Sequence, residues 1–234
     1  MRLRSDGPDI SYWQWTPKTT TDPDFNQIPY FPFFAQRSSR GFDEKDDGFD
    51  RAWPQMRAQG YPFRGAYHWM EPRRIIGESV PVPPQMQADL QLATVLAHGP
   101  LQKGEFLYLD IEKSKADATH NYGGAESPTI DDCEVYLNHV IDQLAAPRIG
   151  VYVGWYAQDP SGKYYRDWVR ANGYFWILPW FVAPDGTDTK FDTAAPTGFH
   201  MRQWTSTATV AGMPSKVDMN HVIDWKRLCE VAGY

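Results

Sequence analysis

Cysteine is scarce in this 234-residue chain, with two in all, Cys133 and Cys229, each on the apolar stripe of a predicted helix. Two thiols so placed make neither a disulfide framework nor a zinc-ligand spacing, so both are expected as buried thiols. Runs of Lys or Arg are missing, and the formal net charge is −6. Phosphate-backbone binding needs a basic footprint, which excludes nucleic acid as the expected partner. No window approaches the ~18 consecutive apolar residues of a membrane span. The opening MRLRSDGPD has basic residues but no apolar segment behind them, so neither membrane insertion nor an export signal is expected. The six histidines never pair at i, i+4. His68 therefore reads as a structural hydrogen-bonder. The acid-rich DEKDDGFD (43 to 50) lacks the alternating spacing of a calcium loop and reads as a solvated turn before a helix.

Flat side chains are plentiful instead. Aromatics make up 15%, including ten Trp and thirteen Tyr, and such a surplus must face something. The length suits one α/β barrel domain spanning residues 1 to 234. Short apolar or alternating runs predict strands near 8 to 13, 29 to 36, 63 to 69, 105 to 112, 149 to 156, 174 to 182, 199 to 204 and 215 to 219. Helices are predicted between the early strands. One is capped by Asp50, carries Pro54 in its first turn and stops at Gly60. The next opens at Pro83 and Pro84 with Met86, Leu90, Ala93 and Ala97 on one face. A third follows the Thr129/Asp132 capping signal and repeats Ile130, Cys133, Leu137, Ile141 and Leu144 before Pro147. A fourth lies near 163 to 172 and a last at 221 to 231. Stretches 38 to 48 and 113 to 128 read as surface loops. The final three strands have no helix between them. The order predicts a largely parallel sheet covered by helices and closed, or nearly closed, into a barrel.

In FLYLDIEKS (106 to 114) two carboxylates close an apolar strand. Alternation puts Phe106, Tyr108, Asp110 and Glu112 on one face and Leu107, Leu109 and Ile111 on the other. The aliphatic face meets the helices. The acids then stand at the C-terminal mouth of the barrel, where barrel enzymes place their chemistry. A lone D-x-E is a weak signal and could simply end a solvated strand. Asp9 in the first strand and Asp218 near the last strengthen it, because closing a barrel brings first and last strands together.

Five ordered motifs, DISYWQ (9 to 14), GAYHW (65 to 69), LDIE (109 to 112), QWTS (203 to 206) and VDMN (217 to 220), give the chain a resemblance to the glycoside hydrolase family 25 lysozymes, the Chalaropsis-type muramidases. It covers nearly the whole chain. One departure stands out: where the family pattern runs K-A-T-E-G after the second strand, this chain has AQRSSRG (35 to 41). The resemblance implies a modified TIM-like barrel, five β/α units followed by three β-strands. It implies cleavage of the β-1,4 bond between N-acetylmuramic acid and N-acetylglucosamine in peptidoglycan, without metal or cofactor. It also implies Glu112 as general acid and Asp110 as the ionised companion that orients the substrate's N-acetyl group.

Asp9 and Asp218 are expected to be polarising members of the same site, strand or turn capping being the alternative for Asp218. Strand positions i and i+2 are roughly 6.5 to 7 Å apart at Cα, and side-chain rotamers span both the retaining and inverting ranges, so spacing leaves that outcome open. Tyr67, Tyr152, Trp180 and Trp204 are candidate sugar-stacking residues, with ordinary core packing the alternative for each. The expected partner is the glycan strand of bacterial peptidoglycan, met by a monomer. A phage lysin held in the host cytoplasm until release, or part of a larger secreted or virion protein, fits the missing export signal. A glucosaminidase or chitinase-like hydrolase, or a non-catalytic glycan-binding phage tail module, are the competing expectations.

Overall fold

The structure is a computed structural model that describes residues 6–72, 83–112, 127–144, 148–179 and 197–234. Nine strands and five helices run in the order β1 (Asp6–Ile10), β2 (Phe33–Arg40), β3 (Glu44–Lys45), α1 (Phe49–Ala58), β4 (Phe63–Trp69), α2 (Pro84–Leu96), β5 (Glu105–Ile111), α3 (Ile130–Leu144), β6 (Ile149–Val153), α4 (Tyr165–Ala171), β7 (Phe175–Pro179), β8 (Met201–Ala208), β9 (Val217–Val222) and α5 (Trp225–Val231) among the described residues. Strands β1, β9, β8, β7, β6, β5, β4 and β2 pair in that order, and β2 pairs back onto β1. The barrel is therefore closed. Only β9 runs against its neighbours in that ring, pairing antiparallel with β1 and β8, while β3 hangs on the outer part of β2.

Two apolar layers follow from strand alternation. Phe33, Phe106, Phe175, Ile177 and Met201 fill the barrel interior, and Leu228 and Val231 of α5 belong to the same inner cluster. Leu107, Leu109, Ile111, Val151 and Val153 face outward against Leu137 and Val140 of α3 and their neighbours. Each fully buried aliphatic or Phe side chain contributes about 1.5–3 kcal/mol.

Several boundaries differ from the sequence reading, each for a local reason. Strand β1 stops at Ile10 because Ser11 opens a 3-10 turn over Tyr12–Gln14, with the Ser11 N–H donating to Gln14 Oε1 at 2.9 Å. Strand β2 starts four residues late, past Pro29 and Pro32, which cannot donate to a ladder. It runs on through the stretch expected as surface loop: Ser38 and Ser39 are fully buried, the first donating to the Tyr67 carbonyl at 2.8 Å. Helix α1 starts before Asp50, so Pro54 lies beyond the first turn. Helix α2 buries a different face from the one expected. Met86 is exposed, and Gln87, Ala88, Gln91, Leu92 and Val95 turn inward. Two of these are glutamines: Gln87 donates to the Glu71 carbonyl at 2.9 Å, and Gln91 donates to the Ala66 carbonyl and accepts from the Tyr136 hydroxyl. A polar residue that satisfies buried carbonyls looks like a surface residue in sequence. Strand β9 continues to Val222, so α5 begins only at Trp225. Cys133 is buried as expected, whereas Cys229 is only half-buried. Of the loop expected at 113 to 128, residues 113 to 126 lie outside the described residues.

At the end of the barrel away from the site, Glu105 is buried and ties three segments together. Arg57 donates to it at 2.7 and 2.8 Å, Arg64 at 3.0 Å and the Gln102 N–H at 2.8 Å. These bonds, with Arg57 first, hold its carboxyl below the usual range against the opposing cost of burial. Glu105→Gln leaves two largely buried guanidiniums facing a neutral amide and should lower stability at pH 7 by about 3 kcal/mol in urea denaturation. Because the folded value is depressed, that advantage is present above the unfolded value near 4.5 and fades as pH falls through the folded one. A variant as stable as the parent at pH 7 would refute the role.

Candidate active site

The closed ring decides where the acids meet. Asp9 lies directly opposite Asp218 across the β1–β9 ladder. Asp110 ends the inward row of β5, beside Trp69 of β4 and Tyr152 of β6 in register. Glu112 follows, one residue past the strand, and is exposed. All four line one cavity of about 140 Å³ at the mouth, together with Ser11, Trp13, Arg37, Tyr67, Trp69, Tyr108, Tyr152 and Gln203. A larger hollow of about 500 Å³ shares Glu112, Tyr152, Gln203 and Asp218 and adds Gly154, Trp155, Tyr156, Ala157, Pro179 and Ser206. Together they form a cleft with the carboxyl groups along it and aromatic rings on its walls.

Of the expected aromatic residues, Tyr67 and Tyr152 line the smaller cavity, and Tyr152 lines both. Trp204 does not reach it. Its neighbour Gln203 points inward, so alternation sends Trp204 outward, where it packs against the layer under the helices. Trp180 lies outside the described residues. Trp13, Trp69, Trp155 and Tyr156 take wall positions that the sequence reading did not assign. Trp13 and Tyr156 are about half exposed, 53% and 51%, which leaves ring faces available. Trp13 sits inside DISYWQ and Tyr156 at the end of the run predicted as a strand over 149 to 156, so the available signal was an aromatic next to a strand end.

Hydrogen bonds fix part of the cluster. Asn220 donates to Asp9 Oδ2 at 2.6 Å, Gln203 reaches the same oxygen at 3.4 Å, and Tyr152 donates to Gln203 Oε1 at 2.7 Å. Asp110 Oδ1 is buried with no hydrogen-bond partner among the described residues.

Electrostatics push the group toward the neutral forms. Burial raises Asp9 to about 6, opposed by its bonds from Asn220 and Gln203. Burial, then the charges of Asp9 and Glu112, raises Asp218 to about 8, and Gln203 opposes. Asp110 is pushed well up by burial and then by Glu112 and Asp9, with Arg37 pulling the other way. Burial and the neighbouring carboxylates thus oppose the ionised form that the resemblance implies for Asp110.

Arg37 is a charged residue of the cavity wall that the sequence reading also missed. Its guanidinium is almost completely buried at the cavity wall, 4.7 Å from the Tyr12 ring centre. Asp46 holds it at 2.8 Å and Glu44 stands at 3.5 Å. Asp46 also accepts from the backbone N–H groups of Tyr12 and Gly48, at 2.9 Å each. The acid-rich stretch expected as a solvated turn thus contains a buried clamp. His68, by contrast, stays outside the cleft. It is buried between Ser39 and Gln87, at 2.9 and 3.2 Å, and burial lowers it to about 3.

No family profile and no curated protein sequence matches the chain. Solved structures do. A family 25 glycosyl hydrolase from Bacillus anthracis superposes with a TM-score of 0.68 at 15% identity, over 100% of this chain and 95% of that one. The catalytic domain of an endolysin from a Listeria monocytogenes bacteriophage gives 0.64 at 18%, over 100% of both. A bacterial lysozyme from Streptomyces coelicolor gives 0.63 at 18%, over 97% of this chain and 96% of that one. At such identities the likeness is one of fold, and it bears out the modified barrel that the resemblance implies.

The raised carboxyls carry a linkage consequence. Asp9 and Asp218 hold protons more tightly folded than unfolded, so the stability they lend is complete below the unfolded value near 3.8 and is lost as pH rises through about 6 and then about 8. Asp218→Asn should therefore gain stability relative to the parent as pH rises from about 5 to about 9, read from urea midpoints. A difference that does not change with pH would refute this.

Proposed function

We propose that the chain is a peptidoglycan hydrolase that cleaves the β-1,4 bond between N-acetylmuramic acid and N-acetylglucosamine. The observation that carries this is the convergence of Asp9, Asp110, Glu112 and Asp218 on one aromatic-walled cleft at the barrel mouth. Glycoside cleavage needs a proton for the leaving oxygen and negative charge near the anomeric carbon. Glu112 stands where the two hollows meet and is the exposed member of the four, so it is placed to hand a proton to an oxygen lying along the cleft. Asp9, raised only to about 6, is mostly ionised at neutral pH and supplies negative charge. Asp110, as buried as Asp9 and held toward the neutral form, orients the acetamido group of the sugar. The carbonyl oxygen of that group then attacks the anomeric carbon as the leaving oxygen takes the Glu112 proton.

Three named lysozyme, endolysin and glycosyl hydrolase structures of the same fold support the substrate class. The partner is the glycan strand, met at the cell wall by a single chain acting as a phage lysin. No helix among the described residues is long and apolar enough to cross a membrane.

Digestion of purified peptidoglycan, with identification of the new reducing end, tests the reading. Muramic acid at that end is the expected result. Glucosamine there would make the chain a glucosaminidase, and no release would leave a glycan-binding module. Glu112→Gln should lower kcat by about 10² to 10⁴ with KM little changed; an unchanged rate would remove Glu112 as the acid.

A further inference from the structure

We infer that the indole N–H of Trp69 is a substrate-binding donor, aimed at the carbonyl of the acetamido group whose N–H meets Asp110. The inference rests on the glycan reading above and adds a residue to it.

Trp69 closes the inward row of β4, which runs Phe63, Gly65, Tyr67, Trp69. It is in register with Asp110 on β5, and the Met70 N–H donates to the Asp110 carbonyl at 3.0 Å. Both side chains line the 140 Å³ cavity. Trp69 Nε1 and Asp110 Oδ1 are also buried polar atoms without a hydrogen-bond partner among the described residues. Elsewhere in the cavity such atoms are satisfied, as with Asp9, Gln203 and Tyr152. A donor and an acceptor left unpaired in one wall are costly unless something else fills them. A secondary amide offers one acceptor and one donor, which is the complement of this pair.

The ring is held for the task. Arg40 lies over it at 4.8 Å from the ring centre, and Arg40 Nε donates to Glu71 at 2.7 Å. Gly41 donates to the Trp69 carbonyl at 3.1 Å, and any Cβ on Gly41 would run into the Glu71 carboxylate. Arg40 and Gly41 belong to AQRSSRG, the stretch that departs from the resembling pattern. Packing of a ring at position 69 needs no N–H, whereas a hydrogen bond to the substrate does.

The test is a titration followed by nuclear magnetic resonance of the full chain carrying Glu112→Gln, ¹⁵N-labelled to show indole N–H signals. Trp69→Phe, made in the same background, identifies the Trp69 signal by its loss. On adding an N-acetylglucosamine tetramer, the Trp69 signal should move downfield and exchange more slowly with solvent; a glucosamine tetramer should leave it unmoved. Trp69→Phe should weaken binding of the acetylated tetramer about tenfold, the worth of one well-placed hydrogen bond, and leave the deacetylated one unaffected. An unmoved Trp69 signal while other indoles report saturation, equal affinity in the variant, or no binding of either tetramer would each overturn the inference. Failure of the parent chain to cleave peptidoglycan while its Trp69 signal responds would instead overturn the hydrolase reading and leave this one standing.

Discussion

Strand β1 is the constraint on which the site depends. Its residues pair in parallel with β2 and antiparallel with β9; without the β2 ladder the barrel would be an open sheet, and without the β9 ladder Asp9 and Asp218 would lie at its opposite edges. The approach to β2 is tight enough that a Cβ on Gly7 would collide with the Phe33 carbonyl. Glycine is thus required where the ring closes. Closure sets Asp9 and Asp218 directly opposite each other, a cross-strand arrangement that is unfavourable for two like charges. The raised value of Asp218, to which Asp9 contributes after burial, expresses that cost.

Those unfavourable charges are relieved in two ways, by protons and by one cation. Arg37 is buried at the wall and opposes the rise of Asp110. It is not free to drift toward the acids, because Asp46 and Glu44 hold it from behind. Asp46 in turn bonds the Tyr12 N–H, so the same carboxylate positions both the cation and the turn that presents Trp13. A cation neutralised from outside the cavity lends a moderate positive field without filling the cleft with an ion pair. The hairpin of β2 and β3 is therefore part of the site although it stands outside the ring.

Sequence alone made the strand order legible, because inward and outward rows alternate cleanly in β5 and β6 and the helices have clear stops. The four acids were legible for the same reason: each sits at a strand end whose direction could be inferred. Arg37 was not, since a charged residue beside Ser38 and Ser39 resembles solvated loop until the Asp46 clamp is visible. Gln87 and Gln91 misled the reading of α2 because burying a polar side chain depends on partners from β4 and α3. Trp204 failed for a one-residue reason: the inward member of its pair is Gln203. Tertiary partners, absent from any local window, decide each of these cases.

Burial is the first cause of the raised values at Asp9, Asp110 and Asp218 alike. Glu112 differs from them in lying open to solvent. A saccharide seated along the cleft would cover it and impose the same desolvation, disfavouring its charged form. On the proposed hydrolase reading, Asp9, Asp110 and the half-buried Asp218 set the local charge in advance, and the exposed Glu112 is tuned by the sugar that covers it.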